Sequence, residues 1–178
     1  MTYANVYICG DSFSAVNDSV TCNHPLDDVE AYSWVHELQK RYSVTCYARS
    51  GASNFDIINQ IKRLKTYDLL ITNLTQIKRL ALHVRMENLP NVDLLTVARR
   101  NIELGKWISK RPNSICWTPF TGYEVIKTIH TMYFERENEY FNKQLSAPVT
   151  KHHMTEKGNQ LLAEWMIDQI ERKLHERH

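Results

Sequence analysis

Short, nearly continuous apolar runs alternate along this chain with longer stretches in which apolar side chains return every three or four positions. The first run, Val6-Tyr7-Ile8-Cys9, stops at Gly10 and predicts a buried strand ending in a tight turn. Ala31, Trp34, Val35, Leu38 and Tyr42 follow at helical spacing. Ser43-Val44-Thr45-Cys46-Tyr47-Ala48 is β-branched and aromatic, a second strand, and it ends at Arg49-Ser50-Gly51-Ala52-Ser53-Asn54. The next helix takes Phe55, Ile57, Ile58, Ile61 and Leu64 as its apolar stripe and Gln60, Lys62, Arg63 and Lys65 as its wet face. Asp68-Leu69-Leu70-Ile71-Thr72-Asn73 is a third strand, apolar throughout its middle as a parallel strand covered on both faces should be. Residues 93–111, with Leu94, Leu95, Val97, Ala98, Ile102, Leu104, Trp107 and Ile108, predict a long amphipathic helix stopped by Pro112. Ser114-Ile115-Cys116-Trp117-Thr118 is a fourth strand, closed by Pro119. A terminal helix capped by Thr155 buries Leu161, Leu162, Trp165, Met166, Ile170 and Leu174. Strands alternating with helices make an open α/β sheet, whose chemistry gathers at the carboxyl ends of the strands.

Three segments break this rhythm. Residues 13–30 are rich in Asp, Asn and Ser, contain Pro25, and read as a long loop beside the end of the first strand. Residues 77–91 mix Lys78, Arg79, His83 and Arg85 with Leu80, Leu82 and Leu89, a solvated helix and loop in which Arg79 is a candidate substrate contact. Residues 122–145 hold Tyr123, His130, Tyr133, Phe134, Tyr140 and Phe141, either the wall of a pocket or a satellite of the core.

Length and charge narrow the function. A chain of 178 residues is expected to be one domain, 1–178, with one site. Lys and Arg number 22 against 20 Asp and Glu, and without a long basic run there is no nucleic-acid or membrane footprint. Cys9, Cys22, Cys46 and Cys116 lack paired metal-type spacing, so reduced thiols are expected. The N-terminus has no secretory pattern and no run is long enough to span a membrane, which together point to the cytoplasm.

Candidate chemistry begins at Gly10-Asp11-Ser12. A serine hydroxyl attacks a carbonyl only when a base takes its proton and donors hold the resulting oxyanion. Far downstream, His153-Met154-Thr155-Glu156-Lys157-Gly158 opens the terminal helix that continues through Leu161-Leu162-Ala163. These two blocks, bracketing nearly the whole chain, resemble the first and last sequence blocks of the SGNH (GDSL-type) hydrolase family. The resemblance implies a three-layer α/β/α sandwich with a mainly parallel, flavodoxin-like sheet, including a fifth strand that the pattern does not locate. It implies a serine ester hydrolase acting on a small-molecule or carbohydrate-linked ester without cofactor or metal. Ser12 would be the nucleophile and His153 the base. The oxyanion donors would be the N–H groups of Ser12 and Gly51 and the side chain of Asn73. Gly51 also has a purely local reading, a positive φ before a helix capped by Asn54. His130 is a rival base without a motif around it, and His152 beside His153 finds no third metal ligand at sensible spacing.

Two departures from the family pattern matter. The family closes its third strand with Gly-x-Asn-Asp, whereas this chain has Thr72-Asn73-Leu74-Thr75-Gln76, so Thr75 and Gln76 compete with Asn73 as donor. The family also places Asp three residues before its catalytic His, where this chain has Thr150. Two readings therefore stand side by side: an ester hydrolase working with a Ser-His dyad or incomplete triad, and a non-catalytic SGNH-like binding or structural module, such as a virus-encoded component.

Overall fold

The computed structural model describes residues 5–11, 14–15, 33–77, 94–120, 122–131 and 156–176. Among them are five strands, β1 (Asn5–Cys9), β2 (Ser43–Cys46), β3 (Leu69–Asn73), β4 (Ser114–Thr118) and β5 (Ile129–Thr131). They form one sheet in the order β2-β1-β3-β4-β5, with every neighbouring pair parallel. The described residues also form four helices: α1 (Trp34–Gln39), α2 (Asn54–Lys62) and α3 (Leu94–Ser109) between successive strands, and α4 (Glu156–His175) after β5.

Strand alternation divides the core in two. Val6 and Ile8 of β1, Leu69 and Ile71 of β3, and Ile115 and Trp117 of β4 pack with Trp34, Val35 and Leu38 of α1 and with Leu162, Met166 and Ile170 of α4. Cys9, Leu70, Cys116 and Ile129 enter the second core with Ile57, Ile58 and Ile61 of α2 and Ile108 of α3. The sheet is thus the middle of three layers, and all five residues of β3 are buried, which is why that strand is nearly unbroken in its apolar character. α1 is short but firmly tied. Ser33 caps it by accepting from the Val35 N–H, and the Trp34 N–H donates to Asn159 Oδ1 of α4 at 3.1 Å. The Trp34 and Trp117 rings meet edge to face, with centroids 6.0 Å apart.

The structure refines the expected pattern in three places. The fifth strand lies within the aromatic segment, where three residues, Ile129 to Thr131, pair with β4. On α2 the roles of two residues are exchanged: Phe55 is 43% exposed, whereas Gln60 is buried at 5%. The cap of α2 is Ser53, whose hydroxyl accepts from the Asp56 N–H, and Asn54 is instead buried as the first helical residue. Cys9, Cys46 and Cys116 are free thiols, and Cys22 lies outside the described residues. No described helix is long and apolar enough to cross a membrane.

The contrast between Trp34 and Phe55 gives a direct test of the packing. Removing a fully buried indole leaves a cavity, so Trp34→Ala should lower unfolding free energy by about 3–5 kcal/mol. Phe55→Ala should cost only about 0.5 kcal/mol, as for other exposed positions. Urea unfolding of both variants checks the difference.

Candidate active site

The chain leaves β1 in one direction through α1 to β2, and leaves β2 in the other through α2 to β3, so the strand order reverses at β1 and β3. At such a switch point the two connections diverge beyond the carboxyl ends of the strands and open a crevice. Gly10 and Asp11 follow β1 at this point, and Asn73 stands at the end of β3.

The backbone groups of Gly10 and Asp11 are all hydrogen-bonded. Gly10 N–H donates to Gln60 Oε1 at 2.8 Å, and Gln60 Nε2 donates back to Gly10 O at 3.1 Å. Gly10 O also accepts the Arg49 N–H at 3.0 Å, continuing the ladder between β1 and the end of β2. One residue on, Asp11 N–H donates to Asn73 Oδ1 at 3.2 Å, and Asn73 Nδ2 donates to Asp11 Oδ1 at 2.5 Å. Asp11 O then accepts from the N–H groups of Ser14 and Ala15, both at 3.0 Å, which turns the chain. Asp11, Ser14 and Asn73 are fully buried. A side chain at Gly10 would place its Cβ 1.8 Å from Asn73 Oδ1, so the glycine is required by contact with that carboxamide.

Gly51 lies in the neighbouring turn. Ala52 N–H donates to Arg49 O at 3.2 Å and Gly51 has a φ of 77°, the sign that the third position of a type II turn requires. Ser53 follows and is locked by Asp56, whose Oδ2 accepts from both the N–H and the hydroxyl of Ser53. Gly51 and Asn73 therefore belong to the ends of the two strands that flank β1.

The segment after Asn73 is fixed by residues that the hydrophobic pattern did not single out. Thr75 N–H donates to Asn54 Oδ1 at 3.1 Å, and Thr75 O accepts the Tyr123 hydroxyl at 2.9 Å. Asn54 Nδ2 in turn donates to Tyr123 Oη at 2.5 Å and to Asn101 O at 3.3 Å. Burial pushes the Tyr123 phenol well above its ordinary range, with the Asn54 hydrogen bond opposing, so it stays a neutral donor. Of the rival donors, Thr75 is fully buried with its backbone held on both sides, and Gln76 is exposed. Gln60 had a readable signal: it lies three residues after Ile57 and four before Leu64, a polar residue on an apolar face.

Ser12 and His153 lie outside the described residues, as do Arg79, Thr150 and His152. His130 is on β5, where its ring meets Trp165 of α4 edge to face at 5.3 Å. Desolvation, with a further contribution from Lys173, lowers its pKa. Among the described residues no three His, Cys, Asp or Glu are grouped to hold a metal ion.

No family model and no curated protein matches the sequence. Solved structures do match in shape. The psychrotrophic esterase EstA from Pseudoalteromonas sp., in a structure inhibited by monoethylphosphonate, superposes with a TM-score of 0.55 at 16% identity, covering 97% of this chain and 99% of that one. A protein from Bacteroides uniformis named as a GDSL-like lipase superposes with a TM-score of 0.56 at 12% identity, covering 96% of each chain. The fold is that of the SGNH hydrolases. The likeness concerns fold, and it gives no sign of a viral origin. In the SGNH frame, Gly10 and Asp11 occupy the exit of the first strand, and Asn73 the end of the third.

Because the severe clash at Gly10 is with the Asn73 carboxamide, the constraint can be tested by removing that side chain. Gly10→Ala should destabilise by about 3 kcal/mol or more, since the methyl displaces Asn73 and breaks its bonds to Asp11. Combined with Asn73→Ala, the same change should cost far less than the sum of the two single variants. Denaturant unfolding of the three variants reads this coupling.

Proposed function

We propose that this protein is an SGNH-type serine ester hydrolase acting on a small-molecule or carbohydrate-linked ester. The observation that carries the reading is the exit of β1 at the switch point, where the residues on either side of Ser12 are buried and hydrogen-bonded: Asp11 to Asn73, and Ser14 to Asp11 O. A nucleophile is best displayed from such a fixed turn. The fold shared with an esterase and a GDSL-like lipase supports the same class.

In this reading Ser12 Oγ attacks the ester carbonyl carbon while His153 takes its proton. The carbonyl electron pair moves onto oxygen, stabilised by the N–H groups of Ser12 and Gly51 and by Asn73. Asn73 Nδ2 carries two hydrogens, one of which serves Asp11, leaving the second for the oxyanion. Collapse of the intermediate expels the alcohol, which His153 protonates. Water then attacks the acyl-enzyme, giving its proton to His153, and releases the acid with Ser12 restored.

Thr150 favours a second reading, a non-catalytic binding module, because the carboxylate that would orient His153 is absent from that position. One experiment decides between them. A fluorophosphonate probe should label the wild-type protein at Ser12 and should not label Ser12→Ala. On an activated acetyl ester, Thr150→Asp should raise the rate, because an aligned carboxylate stabilises the imidazolium that forms, and the gain should fade at low pH as both groups protonate. Equal background rates in wild type, Ser12→Ala and Thr150→Asp would establish the binding module.

A further inference from the structure

We infer that Gln60 is a positioning residue for the nucleophile loop, an inference that rests on the ester-hydrolase reading above. Its side chain takes both polar groups of Gly10, accepting the N–H at 2.8 Å and donating to the C=O at 3.1 Å. Among the described residues, no strand beside β1 supplies a backbone acceptor for that N–H. The ladder with β2 runs as far as the Arg49 N–H to Gly10 O, and the carboxamide of a helix completes it where the two strands part. Gln60 is 95% or more buried, and a side chain with three rotatable carbon–carbon bonds is held there only because it makes two directed hydrogen bonds.

The consequence lies in what Gln60 connects. It belongs to α2, the helix that begins three residues after Gly51. Gly10 begins the loop that carries Ser12. The two backbone donors proposed for the oxyanion, at Ser12 and Gly51, thus belong to two loops that are registered against each other by Gln60 and by the Arg49 N–H to Gly10 O bond. Oxyanion stabilisation depends on donors converging within tenths of an ångström, and a misplacement near 1 Å costs about a hundredfold in rate. Gln60 acts on the reaction through this registration and touches no reacting atom.

The test uses Gln60→Met, which keeps length and loses both bonds, and Gln60→Glu, which has the right shape but reproduces both bonds only as the neutral acid. With wild type hydrolysing an activated ester in a Ser12-dependent way, Gln60→Met should lower kcat about tenfold or more with KM little changed. Gln60→Glu should be impaired at neutral pH, and its rate relative to wild type at the same pH should rise as the pH falls, because a protonated carboxyl both accepts from Gly10 N–H and donates to Gly10 O. A purely structural residue would show no such recovery in kcat. A folded Gln60→Met with wild-type kcat overturns the inference, as does a Gln60→Glu whose relative rate is flat with pH. Amide hydrogen exchange separates this from failure of the hydrolase reading. If wild type shows no Ser12-dependent turnover, that reading falls. The registration by Gln60 is then upheld by slow Gly10 N–H exchange in wild type and fast exchange in Gln60→Met, and overturned by equal exchange in both.

Discussion

The carboxamide of Asn73 occupies the space that any side chain on Gly10 would need, and the exit of β1 is built on that exclusion. Because the glycine has no Cβ, β3 can bring a hydrogen-bonding side chain directly against the β1 backbone and meet Asp11 with both of its polar atoms. Asp11, Ser14 and Asn73 are fully buried there. Every amide group there must then find a protein partner, since a buried unpaired one costs about 1–3 kcal/mol. Gln60 of α2 for Gly10, Asn73 of β3 for Asp11, and Asn54 of α2 with Tyr123 for Thr75 meet this demand in succession.

The layered fold was legible because it rests on periodicity. β1, β3 and β4 are short apolar runs, α3 and α4 carry stripes at helical spacing, and the structure places them accordingly. β5 was not legible: three residues are too few to show an alternation, and their pairing with β4 is set by tertiary contact. At the site, the strand-end position of Asn73 and the turn at Gly51 could be read from local signals. The burial of Gln60 could not be read from composition, because a glutamine on a helix ordinarily faces water. Only its register with Ile57 and Leu64 betrayed it. Asn54 was misread as the cap, and the hydrogen bonds of Tyr123, expected as a candidate core residue, went unseen for a related reason: a polar atom on an otherwise apolar or helix-capping residue gives no hint of a partner more than twenty residues away in sequence.

A fixed exit from β1 serves binding and catalysis alike, since it lowers the reorganisation needed when a ligand or a transition state arrives. What distinguishes an esterase from a binding module on this frame is the path of one proton. In the proposed hydrolase that path would run through His153 and through whatever orients its ring. The departure at position 150 concerns the proton path of the proposed reaction, whereas the frame around Gly10 and Asp11 is built from other residues.

The thiols beneath the site have a chemical consequence of their own. Burial pushes both Cys9, directly before Gly10, and Cys116 on β4 up to about 12. At neutral pH roughly one molecule in 10⁵ then carries either as thiolate, the form that reacts with peroxide, disulfides and alkylating agents. Cys9 and Cys116 are therefore held in the unreactive thiol form while the fold is intact, whereas Cys46, at the end of β2, is only partly buried.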